Sequence, residues 1–474
     1  MSDAPPAGSS DNQTKRKRPK KTRFDPSAMK PGLAARQAAH RLLGAIIDAH
    51  TPMDALTDDE HGHPHYRALD ARDRSLVRAI LMAGLRHRGS IAATIDRFLD
   101  KPLPEGASAV HHIVHVAIAQ IVLLDIPDHS AVDLAVECAT ADPRTRRFAP
   151  LVNALTRRAV RSKPKLVAQF ADAPKHGPAW FIDMLEHVYG PERATRIAAS
   201  HQSEAPLDIA IRRGTLDAQK LAAQTGGIVL HSQAVRLPST GARVDVPALP
   251  GFDEGHIWVQ DVAAGIPAVL CGDVAGKRVL DTCAAPGGKT AQLFDRGAHV
   301  TALDMSANRL KRLQTNMDRL GLSAHCETVA TSLFDFAPDQ PFDAVLVDAP
   351  CSSTGTIRRH PDVAWVKTDA DIIKLADLQA RMVVHAARFV APGGALVFSN
   401  CSVDPREGEA VAQLVTSQLG TSWTHDPVNR DELAWFDDAV TTDGHVRTTP
   451  DMLERGSAAL SGCDGFFAAR FRRS

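Results

Sequence analysis

Two cysteines carry most of the chemical interest of this sequence. Cys351 lies in Val347-Asp348-Ala349-Pro350-Cys351-Ser352 and Cys401 in Phe398-Ser399-Asn400-Cys401-Ser402. Each follows an apolar run that reads as a parallel strand, so both sit at the carboxyl edge where α/β proteins bind ligands. A lone cysteine in such a place is more often a small buried hydrophobe. Two at equivalent strand ends, each followed by serine, point to thiol chemistry instead. A reaction that needs them is methylation at carbon 5 of a pyrimidine, which becomes nucleophilic only after a thiolate adds to carbon 6. Covalent addition splits one difficult step into easier ones. A second group must then assist elimination, and an acid must support charge at N3 of the base, a role Asp348 is placed to fill. The thiolate needs a depressed pKa, which Lys289 or a helix N-terminus would supply. Spacing alone does not rank the two thiols.

A second constellation is Val279-Leu280-Asp281-Thr282-Cys283-Ala284-Ala285-Pro286-Gly287-Gly288-Lys289-Thr290. A buried strand runs into a loop of small residues, Cys283, Ala284, Ala285, Pro286, Gly287, Gly288 and Lys289, and a helix follows. Glycines let backbone N–H groups approach a ligand, and the helix N-terminus favours a carboxylate or phosphate. The spacing matches neither a P-loop nor the dinucleotide fingerprint. Asp304 closes the next strand, about 20 residues on, where an acid would accept ribose hydroxyls. The alternative for Asp304 is capping of the helix that starts near Ser306. Together these features predict an adenosine-containing cofactor.

The elements that would position these groups follow from periodicity. From Gly251 onward, strand-like runs (Arg278–Asp281, His299–Asp304, Phe342–Asp348, Gly394–Ser399) alternate with helical segments such as Ser306–Leu320 and Asp369–Phe389. That predicts a parallel sheet covered on both faces, with Gly465–Phe471 as an antiparallel edge strand. From Leu33 to about Val160 the period is helical throughout. Ser162–Lys165 reads as a linker and Trp180–Val188 as another helix. Leu207–Ile211 and Gly227–Leu230, with a helix between, make a small unit ending near Leu249-Pro250-Gly251. The reading is multidomain: a disordered basic tail (1–30), an all-α domain (31–162), a linker helix and small α+β connector (163–250), and an α/β Rossmann-like domain (251–474).

Composition narrows the setting. Among 474 residues, 55 Lys and Arg balance 55 Asp and Glu, so net charge gives no nucleic-acid signal. Its distribution does: Lys15–Lys21 is a basic block, and Arg144, Arg146, Arg147, Arg157, Arg158, Arg161, Lys163 and Lys165 form a second cluster suited to phosphates. The seven cysteines are widely spaced without a CxxC pair, which argues against a disulfide framework or structural zinc. The longest apolar stretch, Ile113–Ile126, is broken by His115, Gln120 and Asp125, so no membrane span is expected, and the chain reads as intracellular. His61–His65 reads as a solvated segment rather than a metal site, and His111, His112 and His115 as a helix surface near the core. Trp258 and Trp365 are divided evenly between base stacking and core packing.

Asp281–Thr290, Asp348–Ser352, Cys401-Ser402, Arg358-Arg359-His360-Pro361-Asp362 with Trp365, Val259-Gln260-Asp261 and Asp464–Phe467 together resemble the signature blocks of the Sun/RsmB group of RNA 5-methylcytosine methyltransferases. Asp73–Val77, Leu124–Pro127 and Leu151–Arg157 are similar to the NusB-type RNA-binding domain of bacterial rRNA members. The resemblance implies S-adenosyl-L-methionine as cofactor, Cys401 as nucleophile, Cys351 as the thiol that assists product release, and RNA as partner. Small-subunit rRNA is favoured, with tRNA or a non-catalytic assembly role as alternatives. It also implies a cytoplasmic setting without an obligate protein partner. Where the family has an adenine-contacting Asp, this sequence reads Val329-Ala330-Thr331-Ser332, which makes Thr331 or Ser332 the candidate there. Asn400 replaces a usual Thr, and Pro405-Arg406-Glu407-Gly408 replaces a more acidic run.

Overall fold

The computed structural model describes residues 29–172, 177–240 and 244–474; the basic block Lys15–Lys21 lies outside the described residues. Helices α1 (Leu33–Asp48), α2 (Met53–Leu56), α3 (Pro64–Arg67), α4 (Ala71–Arg86), α5 (Arg88–Phe98), α6 (Ser108–Leu123), α7 (Asp128–Ala141) and α8 (Ala149–Arg161) make the all-helical region. α6 is apolar around most of its circumference and runs through the core. Its buried polar residues, His112, His115 and Gln120, have partners. The His115 ring meets the Gly84 carbonyl at 3.0 Å, and Gln120 accepts from Arg36 at 2.8 Å. His115, expected on a helix surface near the core, lies within the core itself, because a glycine opposite leaves room for its ring. α8 turns Val152, Leu155 and Ala159 inward and leaves Arg157, Arg158 and Arg161 exposed.

The expected linker at Ser162–Lys165 is instead the start of α9 (Lys163–Ala171). Pro164 sits in its first turn, where the missing N–H costs nothing, and Leu166 and Phe170 join the helical core. A helical segment kinked at Gly190, α10 (Ala179–Ser200), leads to a small antiparallel sheet. Its strands β1 (Leu207–Ile211), β2 (Ile228–His231), β3 (Ala234–Leu237) and β4 (Ile257–Val259) lie in the order β2-β3-β1-β4, covered by α11 (Ala218–Thr225). β4 lies past Gly251, so this sheet borrows a strand from beyond the end suggested by sequence. The sheet is bolted down by a buried ion pair. Arg236 donates to both oxygens of Asp208 at 2.7 and 2.8 Å, and to the carbonyls of Leu460 and Gly462.

The remaining strands are β5 (Arg278–Thr282), β6 (His299–Asp304), β7 (Cys326–Ala330), β8 (Phe342–Asp348), β9 (Val390–Asn400), β10 (Trp423–His425), β11 (Val446–Arg447) and β12 (Phe467–Arg473). They form one eight-stranded sheet in the order β10-β12-β9-β8-β5-β6-β7, with β11 pairing β12. β9, β8, β5, β6 and β7 run parallel. β12 is antiparallel as expected, but it is not an edge: it fills the space between β9 and β10. Alternate side chains of β5 and β8 feed opposite cores. Val279, Ala344 and Leu346 meet α12 (Val262–Leu270), α13 (Gly288–Asp295) and α14 (Ala307–Arg319). Leu280, Val345 and Val347 meet α16 (Asp369–Ala386) and α17 (Glu409–Leu419), which follow the short α15 (Val363–Val366). This is the doubly wound, Rossmann-like layer that the sequence predicts.

The helical region docks on the α/β region through the segment 358–365. Asp362 accepts the Met53 N–H at 2.9 Å, Trp365 Nε1 donates to Leu85 O at 3.3 Å, and Arg86 donates to Arg358 O at 2.8 Å. Trp365 is thus an inter-domain contact, and Trp258 is a core residue. No helix among the described residues is long and apolar enough to cross a membrane.

Candidate active site

Strand order places the candidate residues in one row. The chain winds from β5 outward through β6 and β7, then returns to β8 and β9 on the other side of β5. That reversal opens a crevice at the carboxyl ends of β5 and β8. Register pairs Asp304 with Ala330, Thr282 with Leu303 and Val347, and Asp348 with Ser399. Thr331, Asp304, Cys283, Asp348 and Cys401 therefore follow one another along one edge. Their span is roughly 19 Å at the usual strand spacing, long enough for an elongated ligand.

The two thiols meet: Cys351 Sγ lies 3.4 Å from Cys401 Sγ, and Ser353 Oγ is 3.9 Å from Cys351 Sγ. The hydrogen bond from Cys351 holds the Cys401 thiol below its ordinary pKa against the cost of burial, and the Lys289 cation helps. The same bond, with burial, pushes Cys351 well up. Cys283, by contrast, is raised by burial to about 12. Lys289 Nζ donates to Asp348 Oδ2 at 2.7 Å, and Ser399 Oγ donates to Asp348 Oδ1 at 2.8 Å. Burial pushes the Lys289 ammonium down, but the Asp348 carboxylate outweighs it and holds the group above its usual value.

Behind the thiols lies a polar scaffold that sequence reasoning missed. Glu407, fully buried, accepts the Ser352 N–H at 2.9 Å, the Ser352 hydroxyl, and Gln379 Nε2 at 2.9 Å. Gln379 also donates to Pro350 O at 3.0 Å. Asn400 donates to Glu407 O at 2.6 Å and accepts the Ser402 N–H at 3.0 Å. Asn400 thus acts as a loop brace. A buried polar residue with no partner visible in sequence was the one available signal.

At the cofactor side, Cys283 adopts φ 60° and Gly287 φ 105°. A Cβ on Gly287 would come within 2.9 Å of Leu313, so glycine is required there by packing as well as by backbone. Above Gly288 the nearest atom to a Cβ would be 3.8 Å away, in Gln260, which leaves the N-terminus of α13 open to a ligand. Ala284 and Ala285 are buried and Pro286 is exposed. The Asp304 carboxylate accepts the N–H of Ser306 at 2.9 Å and of Ala285 at 3.4 Å, and pairs with Arg309 at 3.2 Å. The helix cap itself is Ser306, not Asp304. Thr331 stands half-exposed at the end of β7, while Ser332 Oγ accepts the Phe334 N–H.

Two groups of contacts fix the floor. Arg359 donates to Asp261 at 2.7 Å and to Asp464 at 3.1 Å, and Arg358 pairs with Asp464 at 3.3 Å. Gly355 donates to Cys401 O at 2.9 Å and accepts the Gly465 N–H at 2.9 Å. A Cβ on Gly355 would lie 2.0 Å from Gly465 O, so this approach of two backbones admits only glycine.

A doubly wound sheet with a small-residue loop opening its switch-point crevice and an acid closing the neighbouring strand is the fold of an S-adenosylmethionine-dependent methyltransferase. Comparison with known proteins gives the family. A family model described as 16S rRNA methyltransferase RsmB/F matches residues 270–472, and a NusB family model matches residues 33–161. The ribosomal RNA small subunit methyltransferase B of Vibrio vulnificus (strain YJ016) is 33% identical over 386 residues, covering 78% of this chain and 88% of that protein. Its counterpart from Xanthomonas campestris pv. campestris is 36% identical over 394 residues, 80% and 86% of the two chains. Among solved structures, PH0851 matches with a TM-score of 0.67 at 20% identity, over 94% of this chain and 99% of that one. NSun6 from Pyrococcus horikoshii with SFG matches with a TM-score of 0.51 at 17% identity, over 62% and 98%. These two share the fold. The chain belongs to the RsmB/F family of rRNA methyltransferases, with a NusB-like helical domain ahead of the catalytic one.

Proposed function

We propose that this chain methylates carbon 5 of a cytosine in small-subunit ribosomal RNA through a covalent adduct at carbon 6. The observation that carries this reading is the thiol pair: two sulfurs 3.4 Å apart, beside a Lys289–Asp348 ion pair of 2.7 Å. Cys401 is the nucleophile. Its bond partner Cys351 and the Ser353 hydroxyl favour the thiolate, and the Lys289 cation offsets part of the opposition from Asp348. Addition of Cys401 Sγ to carbon 6 pushes the C5–C6 π electrons through the ring toward N3, where a proton passed from the Lys289 ammonium through Asp348 balances the charge and leaves carbon 5 nucleophilic. S-adenosyl-L-methionine, when bound, supplies the electrophilic methyl group. The open N-terminus of α13, the loop Cys283–Lys289, Asp304 and Thr331 fit that cofactor, since an open amide cradle and an acid at the next strand end suit its carboxylate and ribose. Once Cys401 is bound in the adduct, Cys351 gives its own proton to solvent and its thiolate takes the carbon-5 proton; the electrons of that C–H bond re-form the C5–C6 double bond and expel the Cys401 thiolate. The target base must leave its stack to reach this edge, so an unpaired or flipped cytosine is the substrate. The exposed arginines of α8 supply phosphate contacts.

The test is transfer of labelled methyl to unmodified 16S rRNA, tRNA and DNA by wild type, Cys401→Ala and Cys351→Ala. Transfer to cytosine C5 of 16S rRNA is expected, lost in Cys401→Ala, with a protein–RNA adduct that persists in Cys351→Ala. An adduct that requires Cys351 and accumulates without Cys401 reverses the roles. Transfer to tRNA alone moves the substrate, and RNA binding without any transfer leaves an assembly factor.

A further inference from the structure

The two sulfurs that the proposed chemistry uses in turn are also placed to react with each other. Cys351 Sγ and Cys401 Sγ are 3.4 Å apart, and both are free thiols. A disulfide bond measures about 2.05 Å, so closure takes an approach of about 1.4 Å, within reach of small side-chain rotations. Cys138, Cys271 and Cys463 are packed into apolar cores. Cys351 and Cys401 are only half-buried, which leaves them open to a small oxidant.

The backbone holds this contact from both sides. Before the cysteines, β8 and β9 are paired with Asp348 opposite Ser399. Neighbouring strands run about 4.8 Å apart, and disulfides bridge Cα atoms separated by about 4.4–6.8 Å. After the cysteines, the two loops are tied again. Ser402 Oγ bonds Ser352 Oγ at 3.2 Å and Thr354 Oγ1 at 3.1 Å, and the Val403 N–H donates to Thr354 Oγ1 at 3.2 Å. The Gly355 N–H donates to the Cys401 carbonyl at 2.9 Å. None of these bonds uses a sulfur, so joining the sulfurs leaves them in place.

We propose that Cys351 is a resolving thiol for Cys401, and that a hydroperoxide closes the pair into an intramolecular disulfide that stops methyl transfer until a dithiol reopens it. With hydrogen peroxide, the Cys401 thiolate attacks one oxygen: the S–O bond forms, the O–O bond breaks, and the departing hydroxide takes a proton to leave as water. Cys401 is then a sulfenic acid. Cys351 attacks Cys401 Sγ and gives up its proton; the S–S bond forms and the sulfenic oxygen leaves with that proton as a second water. Two electrons pass from the sulfur pair to one peroxide, and the product is the same whichever sulfur is oxidised first. A dithiol reverses the step by exchange and ends as a cyclic disulfide. Joined sulfurs cannot add to a base. That consequence rests on the thiol chemistry proposed above, whereas closure itself is read without RNA or cofactor.

The full-length protein is treated with hydrogen peroxide, free thiols are blocked with iodoacetamide in denaturant, and peptides are mapped by mass spectrometry. A linked peptide pair joining Cys351 and Cys401 is expected, with Cys138, Cys271 and Cys463 still free to be blocked. Dithiothreitol returns both thiols. Transfer to 16S rRNA falls in proportion to the linked fraction and recovers with it. In Cys351→Ser, Cys401 lacks its resolving thiol: dimedone traps it as a sulfenic acid, and further peroxide takes it to a sulfinic acid that dithiothreitol does not reduce. The proposal is overturned if wild-type Cys401 accumulates as sulfinic acid, if the linkage joins separate molecules, or if both thiols survive peroxide unchanged. Transfer by a wild type that forms no linked pair refutes the closure alone. A linked pair that leaves transfer undiminished refutes the covalent mechanism, and the switch with it.

Discussion

Replacing Asp281 by asparagine should stabilise this protein at neutral pH, although the residue sits at the heart of the cofactor loop. Asp281 lies in the buried stretch of β5 at 1% exposure, and its carboxylate accepts the Thr290 hydroxyl at 2.7 Å. Burial pushes its carboxyl up to about 7 despite that bond, and the nearby Asp348 adds to the shift. In the unfolded chain the group returns to the model-peptide value of 3.8. Between these values the folded chain holds a proton that the unfolded chain has released, so stability falls as pH rises through this window. The difference of roughly 3 units, at about 1.4 kcal/mol each, caps the penalty above pH 7 at about 4 kcal/mol. Asparagine keeps an oxygen for Thr290 and has no charge to bury. Urea unfolding of both proteins at about pH 5 and pH 8 checks this: the variant should gain up to about 1.6 kcal/mol at the lower pH and up to about 4 kcal/mol at the higher, with a flatter slope between. A variant that loses more stability at pH 8 than at pH 5 would show that the ionised carboxylate contributes to folding, and would refute the reasoning.

Two other perturbations test other joints. Arg236→Met leaves Asp208 as a buried charge without its cation, and loss of one partner of such a pair costs about 3–5 kcal/mol; a calorimetric melt that moves by less than 1 kcal/mol equivalent would refute it. Thr331→Asp places a carboxylate one strand from Asp304, and a charged hydrogen bond worth about 1.5–3 kcal/mol should tighten S-adenosylmethionine binding roughly tenfold or more by titration calorimetry. Unchanged affinity would remove Thr331 from the adenine side.

The sequence revealed the parts whose signal is local and hid those whose cause is long-range. β5, β6 and β8 read clearly because strands buried on both faces are continuous apolar runs. β7 did not, since Cys326-Glu327-Thr328-Val329-Ala330 is a half-exposed edge of mixed polarity. β12 looked like an edge because Phe467–Arg473 ends in charge, yet its antiparallel pairing on both sides is set by β9 and β10. Pro164 misled because proline marks both linkers and helix starts. The two cysteines and Asp348 were legible from strand ends. Glu407 and Gln379 were not, because a buried polar residue is meaningful only through partners that lie far off in sequence.

The place of β12 also makes the candidate site a closure between distant parts of the chain. β12 pairs with β9 and β10, and the residues that lead into it bring Gly465 onto Gly355, whose N–H holds the Cys401 carbonyl. Asp464, from the same approach, takes Arg358 and Arg359. The loop around Cys401 is therefore not set by its own neighbours in sequence: α17, β10 and β11 all intervene before its floor arrives. Alignment of the two sulfurs and insertion of β12 are one folding event, with the loop-closure entropy that implies.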